Sequence, residues 1–132
     1  MKPITSRISK ALQVGSRLRC IDNSGATLVE IIAVKGYKGV KRRHPKAGVA
    51  SLIVAAVKKG DPKIRHEKVQ AVIVRQRKEY LRRSGLRVKF EDNACVLVNE
   101  KGDPRGTRIK GAIAKEVVER FSTVGKIASI VV

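Results

Sequence analysis

The stretch from Val69 to Ala94 changes abruptly from apolar to basic, and this change constrains the fold more than any other feature of the sequence. Residues 69–74 are apolar except for Gln70, and residues 75–83 carry five Lys or Arg. Alternation of apolar and charged residues resumes over 86–90. β-branched residues and period-two alternation predict two strands with a turn at Gly85. Burying the basic segment would leave charges unpaired at large cost. The sequence therefore predicts a small β-domain that projects cationic loops toward an anionic partner.

The length and charge of the chain indicate one domain with a polyanionic partner. Its 132 residues predict a single domain over 1–132, which would bury about two-thirds of the unfolded surface. Thirty Lys and Arg against 11 Asp and Glu give a formal net charge of +19. Such a surplus repels itself unless a polyanion neutralises it. Nucleic acid is the first expected partner, and an anionic membrane surface is the second.

Enzymatic and metal-dependent functions are not expected. The Asp residues cluster at turns, where a structural role is more common than acid–base chemistry, and no nucleophile, base and carboxylate fall into a catalytic pattern. His44 and His66 are far in sequence from Cys20 and Cys95, so no paired metal-ligand spacing exists. Both cysteines are predicted to be buried free thiols. No cofactor is expected, and no apolar run is long enough to cross a bilayer.

Apolar, β-branched segments separated by glycine-bearing turns predict a mainly β fold. Strands are expected over residues 18–21, 27–34, 49–57, 69–74, 86–90 and 94–98. One short helix is expected over residues 114–121, where apolar residues share one stripe. Residues 1–16 are predicted to form a basic arm with a short helical turn near 9–14, and the tail 126–132 is compatible with strand or helix. Five or six short strands are typical of a small closed barrel, which has no exposed edges.

The basic residues on the loops are the candidate nucleic-acid contacts. A charge run is usually only a solvated surface, but the charge density beside glycines in residues 36–48 favours a phosphate-binding loop that orders on contact. Aromatic residues make up only 3% of the chain, which argues against a binder that stacks single-stranded bases. Two modes of nucleic-acid binding remain. The chain could recognise phosphates and shape in folded RNA, or it could coat DNA. The candidate residues are Lys38, Lys41, Arg42, Arg43, Lys46, Lys58, Lys59, Lys63, Arg75, Arg77, Lys78, Arg82 and Arg83.

An ordered set of short motifs resembles the universal large-subunit ribosomal protein fourteen (L-fourteen) family. The motifs are residues 22–26, residues 71–75, Phe90 with 92–94, residues 96–97, Pro104 with 106–109, Gly111, and Glu116. The likeness covers nearly the whole chain from Gly15 onward, in the family's order and spacing. The N-terminal arm, residues 76–80, residues 90–94 and the 127–132 ending resemble the archaeal and eukaryotic branch.

This resemblance implies a five-stranded β-barrel with a projecting β-ribbon and a small helical C-terminal part over 112–132. It implies a structural constituent of the large ribosomal subunit that binds large-subunit ribosomal RNA and touches neighbouring large-subunit ribosomal proteins. One face of similar proteins looks toward small-subunit RNA at an intersubunit bridge, and an anti-association factor docks on that face. The resemblance places Thr107 and Arg108 there, together with Lys126.

Two other functions fit the charge of the chain. A chromatin-type protein that coats DNA without sequence specificity is the main alternative, because a surplus of Lys and Arg is sufficient for non-specific binding to DNA phosphates. A binder of anionic membranes is disfavoured, since the basic residues lie on loops between strands and not on one amphipathic helix.

Overall fold

A computed structural model describes residues 2–132, which form eleven strands and two short helices. The N-terminal half contains β1 (Leu12–Gln13), β2 (Arg17–Cys20), β3 (Ala26–Val34), β4 (Lys46–Ala47) and β5 (Leu52–Gly60). The middle contains β6 (Lys68–Arg75), β7 (Tyr80–Leu81), β8 (Arg87–Val88) and β9 (Ala94–Val98). The C-terminal part contains β10 (Ala112–Ile113), α1 (Lys115–Arg120), α2 (Ser122–Ile127) and β11 (Ile130–Val131). None of the helices in residues 2–132 is long and apolar enough to cross a membrane.

Five of the strands close into a barrel in the order β2-β3-β5-β6-β9. Neighbouring strands are antiparallel except at the closing seam, where β2 and β9 run parallel with Cys20 opposite Cys95. Both cysteines are free and buried, which confirms the thiol prediction. The predicted closed five-stranded barrel is confirmed as well.

The barrel wall separates two apolar cores. The inner core fills the barrel with side chains such as Leu18, Ile53 and Ile73, each 0% exposed. The outer core lies between the wall and the C-terminal helices. Because β6 and β9 contribute to both cores, all five residues of β9 are buried and the alternation expected for a half-exposed strand disappears.

The segment after β6 differs from the sequence expectation. Residues 86–90 were expected to form a strand, but only Arg87 and Val88 do so, and they pair with β7 in a short separate hairpin. The partner of β6 is instead β9. Tyr80 of this hairpin is completely buried, because its ring packs in the outer core.

The N-terminal segment is held against the barrel at several points. The predicted helical turn near residues 9–14 is wrong, because Leu12 and Gln13 form β1, which pairs with β4. Arg7 exchanges backbone hydrogen bonds with Leu81. The side-chain amide of the buried Gln76 donates to the Ser9 carbonyl at 2.9 Å. These contacts fix residues 6–13 on the barrel surface.

The C-terminal part combines helix and strand. α1 lies where the apolar stripe predicted a helix, with Val117 and the preceding Ala114 completely buried. A Cβ at Gly125 would lie 2.7 Å from Val118 Cγ1, so the close approach of α1 and α2 requires glycine there. The tail 126–132, whose sequence is compatible with strand or helix, contains the end of α2 and then β11, which pairs with β10.

Candidate nucleic-acid interface

The strand directions sort the loops onto two ends of the barrel. β5 begins and β6 ends at one end, so the connections 35–51 and 76–93 share it; we call this the top end. The turns 21–25 and 61–67 and the segment 99–111 lie at the opposite end, which we call the bottom end. A backbone hydrogen bond from Asp61 to Gly25 joins two of the bottom connections.

The structure divides the thirteen candidate residues between these ends. The top end carries Lys38, Lys41, Arg42, Arg43, Lys46, Arg75, Arg77, Lys78, Arg82 and Arg83. The bottom end carries Lys58, Lys59 and Lys63, at the end of β5 and in the turn that follows. Lys58 Nζ lies 3.9 Å from a Glu30 carboxylate oxygen. The candidates therefore do not form one continuous patch.

The basic loop, residues 36–48, places three of its five Lys and Arg residues in a tight turn at its tip. Lys41 and Arg42 both have left-handed backbone, with φ of 57° and 58°. The Arg43 N–H donates to the Val40 carbonyl at 3.3 Å, which closes a four-residue turn of the type I′ class. Left-handed backbone costs a non-glycine residue about 1–2 kcal/mol, so the loop accepts strain to present these side chains. Within residues 2–132, none of the five basic side chains of this loop makes an ion pair.

Arg75 is a candidate whose charge is used inside the protein. Its Nη2 donates to Asp92 Oδ2 at 3.0 Å and its Nη1 donates to the Ala112 carbonyl at 3.3 Å. Nε lies 2.9 Å from Asp92 Oδ1, close enough for an ion pair but not aligned for a hydrogen bond. The side chain is only 14% exposed. Arg75 thus connects β6 to the segment before β9 and to β10.

Arg82 is the second such candidate, and it lies on a buried carboxylate. Arg82 Nε donates to Glu116 Oε1 at 2.9 Å, and the Glu116 side chain is 0% exposed. Ser6 Oγ donates to Oε1 at 2.6 Å, and Tyr80 OH donates to Oε2 at 2.8 Å. Arg82 Nη2 also donates to the Val132 carbonyl at 2.6 Å. One carboxylate therefore joins the N-terminal segment, the β7–β8 hairpin and α1.

The hydrogen bonds decide the protonation state of this cluster. Burial acts to raise the pKa of Glu116, but hydrogen bonds from Ser6, Arg82 and Tyr80 outweigh it and hold the pKa below its ordinary value. Burial and the neighbouring Glu116 raise the pKa of Tyr80 well above its ordinary value. Glu116 is therefore ionised and Tyr80 is neutral at neutral pH.

The bottom end holds the segment that contains Thr107 and Arg108. Asn23 Oδ1 accepts hydrogen bonds from the Thr107 N–H at 2.8 Å and the Arg108 N–H at 3.3 Å. Asn23 Nδ2 donates to Thr107 Oγ1 at 2.8 Å. Both residues of the pair are exposed, so the Asn23 side chain fixes their backbone at the surface.

A cavity of about 320 Å³ connects this segment to the C-terminal tail. Its lining includes Arg108, Lys110, Ile127 and Ser129. Lys126 does not line the cavity, but it lies in the last turn of α2 directly before Ile127. The structure therefore brings the candidate residues of this surface into one neighbourhood.

Residues 22–26 were noted only as a motif of the family resemblance, and the clamping role of Asn23 was missed. In the structure these residues include the turn between β2 and β3. The turn itself is held by the buried Asp22, whose Oδ2 accepts the Leu97 N–H at 3.0 Å and whose Oδ1 accepts the Cys20 thiol at 3.1 Å. The available signal was an Asn within a short polar turn, and such a residue commonly bonds nearby backbone. That signal does not identify a partner 84 residues away. Across residues 2–132, no three His, Cys, Asp or Glu side chains form a group that could hold a metal ion.

Comparison with known proteins identifies the family. A family model described as ribosomal protein L14p/L23e matches residues 11–132. The large ribosomal subunit protein uL14 of Methanocorpusculum labreanum is 54% identical over 132 residues, which cover 100% of both chains. The chain belongs to the ribosomal protein L14p/L23e family. Proteins of the same name from Methanocella arvoryzae and Methanoregula boonei are 50% and 49% identical, again over 100% of both chains.

Membership in the L14p/L23e family confirms the resemblance, including its archaeal character, because these relatives come from archaeal species. The chain is a structural, non-enzymatic constituent of the ribosome, located with the cytoplasmic ribosomes. The ribosomal interpretation therefore prevails over DNA coating and over membrane binding.

Proposed function

We propose that this chain binds large-subunit ribosomal RNA through exposed cations on its loops. The contacting residues are Lys38, Lys41, Arg42, Arg43, Lys46, Arg77, Lys78 and Arg83 at the top end, with Lys58, Lys59 and Lys63 at the bottom end. Arg75 and Arg82 support this surface from inside, since their guanidinium groups bind Asp92 and Glu116. Neighbouring large-subunit ribosomal proteins are further partners in the assembled particle.

The observation that supports this proposal most strongly is the left-handed tip of the basic loop. Lys41 and Arg42 occupy costly backbone conformations, and neither they nor Arg43 contacts a carboxylate within residues 2–132. Exposed cations without internal partners are suited to phosphate groups, whose bound counterions are released on contact. RNA is therefore the natural neutralising partner of the +19 charge.

The test is co-sedimentation of the full chain with large ribosomal subunits depleted of their own copy. We expect stoichiometric binding at moderate salt and release of the chain after ribonuclease treatment. A control incubation with an excess of duplex DNA should not compete. Persistence on the particle after complete RNA digestion would assign the affinity to ribosomal proteins and refute the proposal.

We also propose that Thr107 and Arg108, with Lys126, form a separate surface that faces small-subunit RNA at an intersubunit bridge and an anti-association factor. The support is the Asn23 clamp, which fixes the exposed Thr107–Arg108 backbone at the opposite end from the basic loop. Partner recognition by a rigid, exposed cation is sensitive to charge reversal, because like charges at an interface cost several kcal/mol.

Arg108→Glu tests this second surface. Incorporation into large subunits should be unchanged, while subunit joining in a gradient profile and capture of the factor should both weaken. Lys101→Glu is the matched control, since Lys101 is exposed on the same 99–111 segment but outside the clamp. Loss of incorporation by Arg108→Glu alone would place Arg108 among the assembly contacts instead.

A further inference from the structure

A second cavity at the top end has no assigned role. Its volume is about 320 Å³, and it opens between the N-terminal segment and the two strand ends that flank the basic loop. This size is at the lower end of the range of about 300–1,000 Å³ that is typical of small-ligand sites. The lining is mixed: Ile4, Ile8 and Val34 provide apolar wall, and Tyr37 provides one aromatic ring.

The charged residues that line this cavity are all cations. They are Lys10, Lys35, Lys46 and Arg120. None of them makes an ion pair within residues 2–132. The buried Glu116 carboxylate accepts a hydrogen bond from the lining residue Ser6, but it is already neutralised by Arg82. The cavity therefore lacks a counter-charge of its own.

Arg120 is the clearest example of a cation in this cavity without a counter-charge. Its Nε donates to the Lys2 carbonyl at 2.8 Å, and its Nη1 donates to the Ala50 carbonyl at 3.1 Å. A guanidinium offers five N–H donors, so these bonds hold the group in place and leave donors for a ligand. Burial without a carboxylate lowers the pKa of Arg120 below its ordinary value, yet the group stays charged. An anion in the cavity would compensate it.

Hydrogen bonds and packing position two walls of the cavity. Gln76 and the Arg7–Leu81 backbone bonds hold the N-terminal segment that supplies Ile8 and Lys10. A Cβ at Gly39 would lie 2.8 Å from Tyr37 Cε1, so the Tyr37 ring packs directly on the backbone at Gly39. A ring held in this way is a preorganised surface for stacking.

We propose that this cavity accepts one unpaired nucleotide of the bound RNA, with its phosphate toward the four cations and its base against Tyr37. The inference rests on the proposed RNA-binding function and adds a specific subsite to it. The cavity is continuous with the basic loop, because residues 34–37 and 46 line the cavity and also flank the tip of that loop. This continuity favours RNA over an acidic protein segment as the occupant. A strand whose phosphates contact that tip passes the mouth of the cavity. Splayed bases of single-stranded RNA commonly stack on aromatic rings.

The first test measures the affinity of the full chain for large-subunit ribosomal RNA with Tyr37→Ala, Tyr37→Phe and the control Lys101→Gln. Loss of one stacked base should weaken binding roughly tenfold in Tyr37→Ala without changing the salt dependence. Tyr37→Phe should restore the affinity, because the ring is kept, and Lys101→Gln should match the unmodified chain. Equal affinity of Tyr37→Ala and the unmodified chain would overturn the subsite and leave RNA binding intact. Failure of the unmodified chain to bind would refute the proposed function instead.

The second test titrates the full chain with uridine monophosphate, ribose 5-phosphate and the dipeptide Asp-Phe, followed by amide chemical shifts. Uridine monophosphate should give saturable shifts at Ile8, Tyr37 and Ser51, larger than those from ribose 5-phosphate, and Lys35→Gln should reduce them. Equal shifts from uridine monophosphate and ribose 5-phosphate, spread over all basic loops, would show only non-specific electrostatic binding and would overturn the proposal. Saturation by Asp-Phe but not by the nucleotide would overturn it in favour of a protein partner.

Discussion

Two stretches of the chain have the same charge density, but only the second uses part of its charge inside the protein. Residues 38–46 and residues 75–83 each carry five Lys or Arg within nine positions. In the first stretch every basic side chain is exposed and none is ion-paired within residues 2–132. In the second, Arg75 and Arg82 are 14% and 12% exposed and bind internal carboxylates.

The difference arises from the neighbours of each stretch. Val74 and Tyr80 are buried in the outer core, and they draw the adjacent segment inward. The carboxylates that receive the two arginines lie 17 and 34 residues later in the chain. The basic loop is flanked by glycines and has no such anchor at its tip. Charge density in a sequence therefore identifies a cationic segment, but burial of its neighbours decides which cations remain for a partner.

The largest expected effect on stability comes from Glu116→Gln. The change leaves Arg82 at a buried site without its counter-charge, and breaking a buried pair from one side costs about 3–5 kcal/mol. Chemical denaturation of the free protein should show this loss as a lower midpoint. Glu79→Gln is the control, because Glu79 pairs only with Lys78 at the surface, and it should not move the midpoint. Equal midpoints for both variants would show that the buried cluster is not structural.

Arg75→Met should cost less than loss of the Glu116 charge. It removes hydrogen bonds to Asp92 and to the Ala112 carbonyl, and bonds to charged groups contribute about 1.5–3 kcal/mol. Arg77→Met, two positions away and exposed, should stay within about 0.5 kcal/mol of the unmodified chain. Thermal unfolding of both variants checks the prediction. The internal role of Arg75 is refuted if Arg77→Met is the more damaging change.

The Glu116 cluster should also give the protein an acid-sensitive component of stability. The folded-state pKa of Glu116 is held below the ordinary value of 4.5, so its contribution is present above that pH and is lost as pH falls toward the folded pKa. Denaturation midpoints measured from pH 6 downward should therefore decline below about pH 4.5 more steeply in the unmodified chain than in Glu116→Gln. Parallel declines would mean that other carboxylates carry the dependence.

The smallest effect on stability should come from replacing the tip of the basic loop. The triple variant Lys41→Gln, Arg42→Gln and Arg43→Gln should leave the melting temperature nearly unchanged, since these side chains contact no carboxylate. The slope of log RNA affinity against log salt concentration should become shallower by about 0.7–0.9 for each charge removed, or roughly 2–3 in total. A control triple of the same charge, Arg17→Gln, Lys68→Gln and Lys101→Gln, should alter the slope far less. An unchanged slope in the loop variant would remove the tip from the interface.

Much of the barrel could be predicted from the sequence because its signals are local. Val- and Ile-rich runs bounded by glycine and Asp or Asn turns predicted β2, β3, β5, β6 and β9 to within a few residues. The prediction of a strand over residues 86–90 was wrong for most of the segment, because alternation alone does not identify which strand a segment pairs with. The strand that pairs with β6 is β9. β1 was missed for the same reason, since two residues become a strand only through pairing with β4.

The candidate site was less predictable because its organising contacts are remote in sequence. Exposed cations in residues 36–48 followed from composition. The burial of Arg82 on Glu116 and the Asn23 clamp on Thr107 depend on pairings across 34 and 84 residues. Such pairings are properties of the closed barrel and leave no local pattern.

The parallel seam between β2 and β9 determines when this protein can fold during synthesis. Arg19 meets Ala94 and Cys20 meets Cys95, so the barrel stays open until β9 has been made. Until then β2 and β6 each lack a neighbour, and their unpaired edges are open to other chains. Contacts of such long range are typical of slow folding, in milliseconds to seconds. A nascent chain halted before residue 94 should therefore remain protease-sensitive, whereas one halted after β9 has cleared the exit tunnel should resist cleavage within the barrel.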